Sequence, residues 1–211
     1  MIESKLVKAL GLEYNPVSLL WTDEKPEKAV SFGVNKFGCV MFHLVAAAKG
    51  RTAVISRDTY GCPGGGVGMG FGNRYEDFPG GCASFYGFLS NGCGDTEIGK
   101  QIAEGIAASG NQDMADELLH GERYVKNPEA TKCFVDALPL QDIPAKYVVL
   151  RPMQDGDLEN SEVRNITLFV TPEQLSALVV MANYDHPERE NVGIPYAAGC
   201  QVIGILMYRE Q

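Results

Sequence analysis

The residues best equipped for chemistry are the six cysteines, Cys39, Cys62, Cys82, Cys93, Cys133 and Cys200. Five of them directly follow a glycine: Gly38-Cys39, Gly61-Cys62, Gly81-Cys82, Gly92-Cys93 and Gly199-Cys200. Only Cys133, after Lys132, does not. With 24 glycines in 211 residues, five such pairs by chance is roughly a one-in-10⁴ event, even allowing for a glycine share above the usual ~7%. A thiolate bound to a metal needs N–H donors near its sulfur and a tight turn around it. Glycine supplies both, because it reaches positive φ and puts no side chain between donor and sulfur. Thiolates are the ligands of iron–sulfur clusters and of zinc. Cys39, Cys62, Cys82, Cys93 and Cys200 are therefore candidate ligands of an iron–sulfur cluster or zinc. A cubane cluster takes four, so the five are not all expected at one centre. No CxxC pair occurs, and at least ten residues separate any two cysteines, so the fold must gather the sulfurs. The plain alternative is a small buried hydrophobe beside a small neighbour.

Two further constellations deserve weighing. Cys39 falls where a helix is predicted to begin, and a helix N-terminus lowers a thiol's pKa. A thiol-dependent enzyme with Cys39 as nucleophile is one alternative. His43, four residues on, shares that helix face, and a Cys-x₃-His pair can share a metal or simply pack. In CPGGGVGMGFGNR (62–74), the backbone N–H groups of Gly64, Gly65 and Gly66, with Arg74 as counter-charge, suit a non-nucleotide anion or small molecule. A binding module built on segment 61–88 without metal is the other alternative. A nucleotide loop is excluded: no GxGxxG register fits, and GDTEIGKQ (94–101) has Gln101 where a magnesium-binding Ser or Thr belongs. No GxSxG or HExxH is present. DGDLENSE (155–162) reads as an exposed loop without EF-hand spacing.

These groups need elements to hold them. Residues 2–11 predict a short amphipathic helix ended by Gly11, and VSLLW after Pro16 predicts a strand. CVMFHLVAAAKG (39–50) predicts a helix with Gly50 just past it, and TAVISRD (52–58) a strand. Thirteen of the 39 residues from 61 to 99 are glycine, which predicts mostly irregular backbone. Its aromatic residues, Phe71, Tyr75, Phe78, Phe85, Tyr86 and Phe88, give it material to pack, unlike a linker. Helices are predicted over 95–108 with Thr96 as cap, over 112–121 and over 128–138. YVVLR (147–151) and NITLFV (165–170) predict strands. Thr171-Pro172-Glu173-Gln174 marks a helix start, and CQVIGILMY (200–208) predicts a last strand. The sum is one α+β domain over 1–211: a mixed sheet, flanking helices and a long Gly-rich irregular segment over 61–99.

The charge balance is 18 basic against 27 acidic residues, net −9 with pI near 4.8. That excludes a dedicated nucleic-acid binder and docking on anionic membranes. Apolar runs reach about ten residues, short of the ~20 that span a bilayer. The N-terminus, with Glu3 and no basic cluster, is not a signal peptide. A cytoplasmic protein is expected, where reducing conditions disfavour structural disulfides.

Taken together, Gly38-Cys39 with the Ala-rich helix to Gly50, Cys62 with VGMGFG, NITLFV leading into Thr171-Pro172-Glu173-Gln174-Leu175, and Gly193 to Cys200 resemble the bacterial and archaeal domain-of-unknown-function family 169. The resemblance implies that Cys39, Cys62 and Cys200 occupy motif positions. Cys82 and Cys93 rest on the Gly-Cys pattern alone. GCQVIGILMYRE departs from the family's Gly-Cys-x-Gly-x-Arg form. The leading expectation is a protein binding an iron–sulfur cluster or another thiophilic metal, serving redox or metal-dependent small-molecule binding, with a small molecule or redox partner as its counterpart.

Overall fold

The computed structural model describes residues 5–185, 191–194 and 196–204. The chain divides into two compact units: the first comprises 1–71 and 142–211, the second 72–141.

The first unit is built on a four-stranded sheet. Its strands are β1 (Val17–Thr22), β2 (Ala53–Ser56), β3 (Tyr147–Pro152) and β4 (Val163–Thr167), in the order β2-β3-β1-β4. The β-branched and aliphatic runs VSLL, AVI and VVL account for this, since such side chains pack well on a pleated surface. Leu19 opposite Leu150, and Leu150 opposite Ala53, form one deeply buried stripe. Leu20, Val54 and Val149 form a second cluster with Ala29, Tyr147 and Val163 against it. The sheet expected to be mixed is antiparallel in all three pairings. β4 covers Val163–Thr167, so the strand expected over 165–170 begins two residues early and ends three early.

Five helices belong to this unit among the described residues: α1 (Lys5–Leu10), α2 (Val40–Ala48), α3 (Pro63–Gly68), and, further on, α8 (Pro172–Tyr184) and α9 (Gly199–Val202). α2 packs on the sheet through Val40, Leu44, Ala47 and Ala48. α3 and α9 pack against one another, and α9 also touches α2. α8 starts with the expected capping box, Thr171 and Gln174 exchanging side-chain-to-backbone bonds. Gln174 Nε2 also donates to the carbonyls of Leu10 and Gly11, at 2.8 and 3.2 Å.

The second unit is helical: a 3₁₀ turn at Arg74–Asp77, then α4 (Gly81–Leu89), α5 (Glu97–Ala108), α6 (Gln112–His120) and α7 (Pro128–Asp136). Each of α5, α6 and α7 starts on a side-chain cap, from Thr96, Asn111 and Asn127 respectively, as expected of such residues. Tyr75 stacks on Phe85 at 4.3 Å and Phe78 meets Phe85 edge-on at 5.4 Å. These aromatic pairs give the unit its own core.

Two expectations fail. Segment 61–99 is not mostly irregular, because α3, the 3₁₀ turn and α4 occupy much of it. The glycines of α3 cost helix propensity, but tertiary contact requires their smallness: a Cβ on Gly68 would run into the carbonyl of Cys200. The strand expected over 200–208 is also absent at its start, since 199–202 form α9, with Gln201 Oε1 accepting from the Ala198 N–H at 2.9 Å. Residues 205–208, like residues 2–4 of the helix expected over 2–11, lie outside the described residues.

A thiol pair where two helix starts meet

Cys62 is the N-cap of α3. Its backbone is extended (φ −118°, ψ 153°), and its Sγ accepts the Gly65 N–H at 3.3 Å, as a Ser or Thr oxygen would. Pro63 at the first helical position suits the start, having no N–H to satisfy. The head of a second helix, α2, stands beside this turn, and the Val40 amide there also favours a charged sulfur. The thiol of Cys200, on α9, is in hydrogen-bond contact with it. These groups favour the charged form of the sulfur. The Cys200 thiol acts most strongly, burial opposes it, and the amides of Gly65, Val40 and Cys62 itself add to it. The Cys62 pKa is pulled from near 9 down to about 7. At neutral pH this sulfur is therefore far richer in thiolate than an ordinary cysteine.

Glycine makes the approach feasible. A Cβ built on Gly61, at φ +81°, would strike the Gly38 carbonyl and the Phe32 ring. One on Gly65 would come 2.6 Å from Val40 Cγ1. On the α9 side, a Cβ on Gly64 would stand 3.4 Å from Cys200 Sγ, and Gly68 lies against the Cys200 carbonyl. α9 is held there by Gln201, which is 1% exposed, and by Asn165 Nδ2, which donates to the Ile203 carbonyl at 2.9 Å. The Gly-Cys segments at 38–39, 61–62 and 199–200 thus belong to one neighbourhood of α2, α3 and α9.

The other expected site residues are placed as follows. Cys39 is the N-cap of α2, half-buried, without a side-chain capping bond. The head of the helix that Cys39 caps stands beside the Cys62 turn, with Val40 against Gly65. His43 is buried under Phe32, the rings 4.0 Å apart, and burial lowers its pKa. Its Nε2 finds no hydrogen-bond partner among the described residues. Cys82, on α4, is half-buried one turn before Tyr86. Cys93 is buried, donates to the Ser84 carbonyl at 3.4 Å, and has its pKa raised by burial. Gly87 and Gly99 press against it. Its glycine neighbours therefore serve packing in the second unit. Gly64, Gly65 and Gly66 lie buried inside α3, where Gly65 N–H serves Cys62 Sγ and Gly66 N–H the Cys62 carbonyl, at 2.9 Å. Arg74, in the second unit, pairs with Asp77 at 3.3 Å. Cys133 is exposed on α7. No group of three or more Cys, His, Asp or Glu side chains among the described residues is arranged to hold a metal ion.

One buried carboxylate escaped the sequence reading. Asp157, inside the tract read as an exposed loop, is 3% exposed. It takes both guanidinium nitrogens of Arg151, at 2.6 and 2.9 Å, and the Ser18 hydroxyl at 2.6 Å. Alternating polarity in strands carried the only signal: Ser18 and Arg151 face each other across β1 and β3.

An antiparallel α+β unit with a paired-thiol centre, joined to a helical unit, is the class of protein that these features define. The chain belongs to domain-of-unknown-function family 169, DUF169, described as "Uncharacterised ArCR", whose model matches residues 5–211. No curated protein and no solved structure matches it. Among the described residues, no helix is long and apolar enough to cross a membrane.

Proposed function

We propose that this is a thiol-dependent protein whose working group is the Cys62 thiolate, with Cys200 as its partner, acting on a soft electrophile. One observation carries the reading: a single sulfur caps a helix, accepting the Gly65 N–H at 3.3 Å, beside the head of a second helix and in contact with a cysteine 138 positions away. Buried sulfurs that only pack, such as Cys93, have their pKa raised instead. Alkylation by iodoacetamide between pH 5 and 9 tests it. Cys62 should react with an apparent pKa of about 7. Its rate at pH 6 should exceed that of exposed Cys133 by about five- to tenfold, since more thiolate outweighs the lower nucleophilicity of an acidic thiol. A Cys62 rate at or below that of Cys133 rejects it.

The contact of the two sulfurs also favours a second reading, a seat for a thiophilic metal ion on Cys62 and Cys200. Soft thiolates select soft cations. Iron, zinc, copper and sulfide analysis of anaerobically purified protein distinguishes the two. The metal reading expects bound metal that disappears in both Cys62→Ser and Cys200→Ser. Metal-free wild-type protein rejects it.

A further inference from the structure

We propose that Cys62 and Cys200 are a redox couple, cycling between dithiol and disulfide by exchange with a disulfide co-substrate. The proposal rests on Cys62 being the nucleophile and goes beyond it by giving Cys200 a chemical task. The roles follow from the main-chain surroundings. Cys62 caps α3 and accepts the Gly65 N–H at 3.3 Å, so it is the sulfur backed by a fixed amide donor. Cys200, in hydrogen-bond contact with Cys62 from α9, is the sulfur placed to resolve an adduct on it. The pair is pre-positioned from both sides: Cys62 by its capping role, and Cys200 by the seating of α9 on Gly64 and Gly68, the burial of Gln201 and the bond from Asn165. The two sulfurs already meet, which is the first requirement for closing the pair.

The exchange runs in two displacements. The Cys62 thiolate attacks one sulfur of R–S–S–R. A Cys62–S bond forms, the R–S–S–R bond breaks, and the departing RS⁻ takes a proton from water. The Cys62 sulfur is now a disulfide sulfur and no longer holds the Cys200 proton, which passes to solvent. The Cys200 thiolate attacks Cys62 Sγ. The Cys62–Cys200 bond forms and the second RS⁻ leaves. Two protein thiols are oxidised and one external disulfide is reduced to two thiols, so electrons balance.

The experiment treats the reduced full chain at pH 6 with less than one equivalent of the aromatic disulfide 5,5′-dithiobis(2-nitrobenzoate). The released thiolate is followed by absorbance, and the alkylated digest is mapped by mass spectrometry. Wild-type protein should release two thiolates per disulfide consumed and yield a cross-linked pair of peptides carrying Cys62 and Cys200. Cys200→Ser, which keeps a hydroxyl donor beside Cys62, should release one thiolate per disulfide and keep the other half attached to Cys62. Cys200→Ala should do the same with a slower first step, because it removes the donor. A wild-type chain that keeps the adduct on Cys62 while Cys200 remains alkylatable overturns the couple and leaves the nucleophile reading standing. A Cys62 that reacts no faster than Cys133 overturns both. The wild-type measurement decides the matter even where a substitution fails to fold.

Discussion

At the scale of single residues, the acidity of Cys62 must register as a pH-dependent contribution to stability. Its pKa is about 7 in the folded chain and near 9 for an ordinary thiol. The folded state therefore binds fewer protons between those values, and stability rises with pH through that window. The contribution is fully present above the unfolded value and is lost as pH falls through the folded one. Two pKa units correspond to about 2–3 kcal/mol. Urea unfolding of wild type and Cys62→Ser at pH 6 and pH 9 isolates this share, because all other titrations cancel in the difference. The expected result is a gap between the two proteins that widens toward pH 9. A gap independent of pH would mean that the sulfur is not held as a thiolate. Asp157 makes the opposite end of the pH scale informative. Burial works against its charge, but Arg151, Ser18 and the Gln154 N–H prevail and hold its carboxyl below the usual range. That stabilisation is present above the unfolded carboxyl value and fades as pH drops through the folded one. Asp157→Asn should cost about 3–5 kcal/mol at neutral pH, as expected when one partner of a buried ion pair is removed. The loss should shrink in thermal melts below pH ~4, where the unfolded carboxyl is itself protonated.

At the scale of elements, the docking of α9 on α3 depends on one missing methyl group. Gly68 faces the Cys200 carbonyl so closely that an added Cβ would overlap it, and backbone cannot swing aside as a side-chain tip can. Gly64, one turn earlier, would place its Cβ at van der Waals distance from Cys200 Sγ, 3.4 Å. Gly68→Ala should therefore displace α9, expose Cys200 to alkylation and return the Cys62 pKa toward 9. Overpacking of this kind typically costs about 1–3 kcal/mol. Gly105→Ala, in α5 where an added Cβ meets nothing within 4 Å, should leave the Cys62 pH profile unchanged and so control for the general effect of alanine in a helix. Equal responses from the two would show that α9 does not seat Cys200. The same contacts explain what the sequence discloses. Helices with a periodic face and a capping residue, such as those begun by Thr96 and Thr171, can be read locally because cap and face lie within one turn. α3 cannot, because its glycines answer to Cys200 and Val40, far away in sequence. The pairing of glycine with cysteine marks crowded backbone at some positions and not at others: a Cβ would collide at Gly38, Gly61 and Gly92, and would meet open space at Gly81. It does not reveal whether hydrogen-bond donors or hydrocarbon do the crowding. The contact of Cys62 with Cys200, across most of the chain, has no local trace at all.

At the scale of the whole molecule, the second unit leaves and rejoins the first at one root, and Arg57 organises the first unit's side of it. Its guanidinium donates to the carbonyls of Ala145 and Ile143, at 3.0 and 2.6 Å, pairs with Asp142 at 2.7 Å, and lies 5.3 Å from the centre of the Phe71 ring. One side chain on the turn after β2 thereby ties residue 71 to residues 142–145, where the two stretches of the first unit meet. The second unit carries its own buried set, with Tyr75, Phe85, Leu89, Ala103, Leu118 and Val135 all inside 72–141. Such a unit can keep its core when the root is loosened. Arg57→Ala should lower the first unit's stability by about 1.5–3 kcal/mol, the range for hydrogen bonds to a charged group. It should leave the second unit's protection intact. The two thiols that report on the units make this measurable in one sample. Pulse alkylation along a urea gradient should show Cys200 becoming reactive at lower urea in Arg57→Ala than in wild type, while the midpoint for buried Cys93 stays where it was. A parallel fall in both midpoints would mean that the two units unfold as one cooperative body, and that Arg57 stabilises the entire chain.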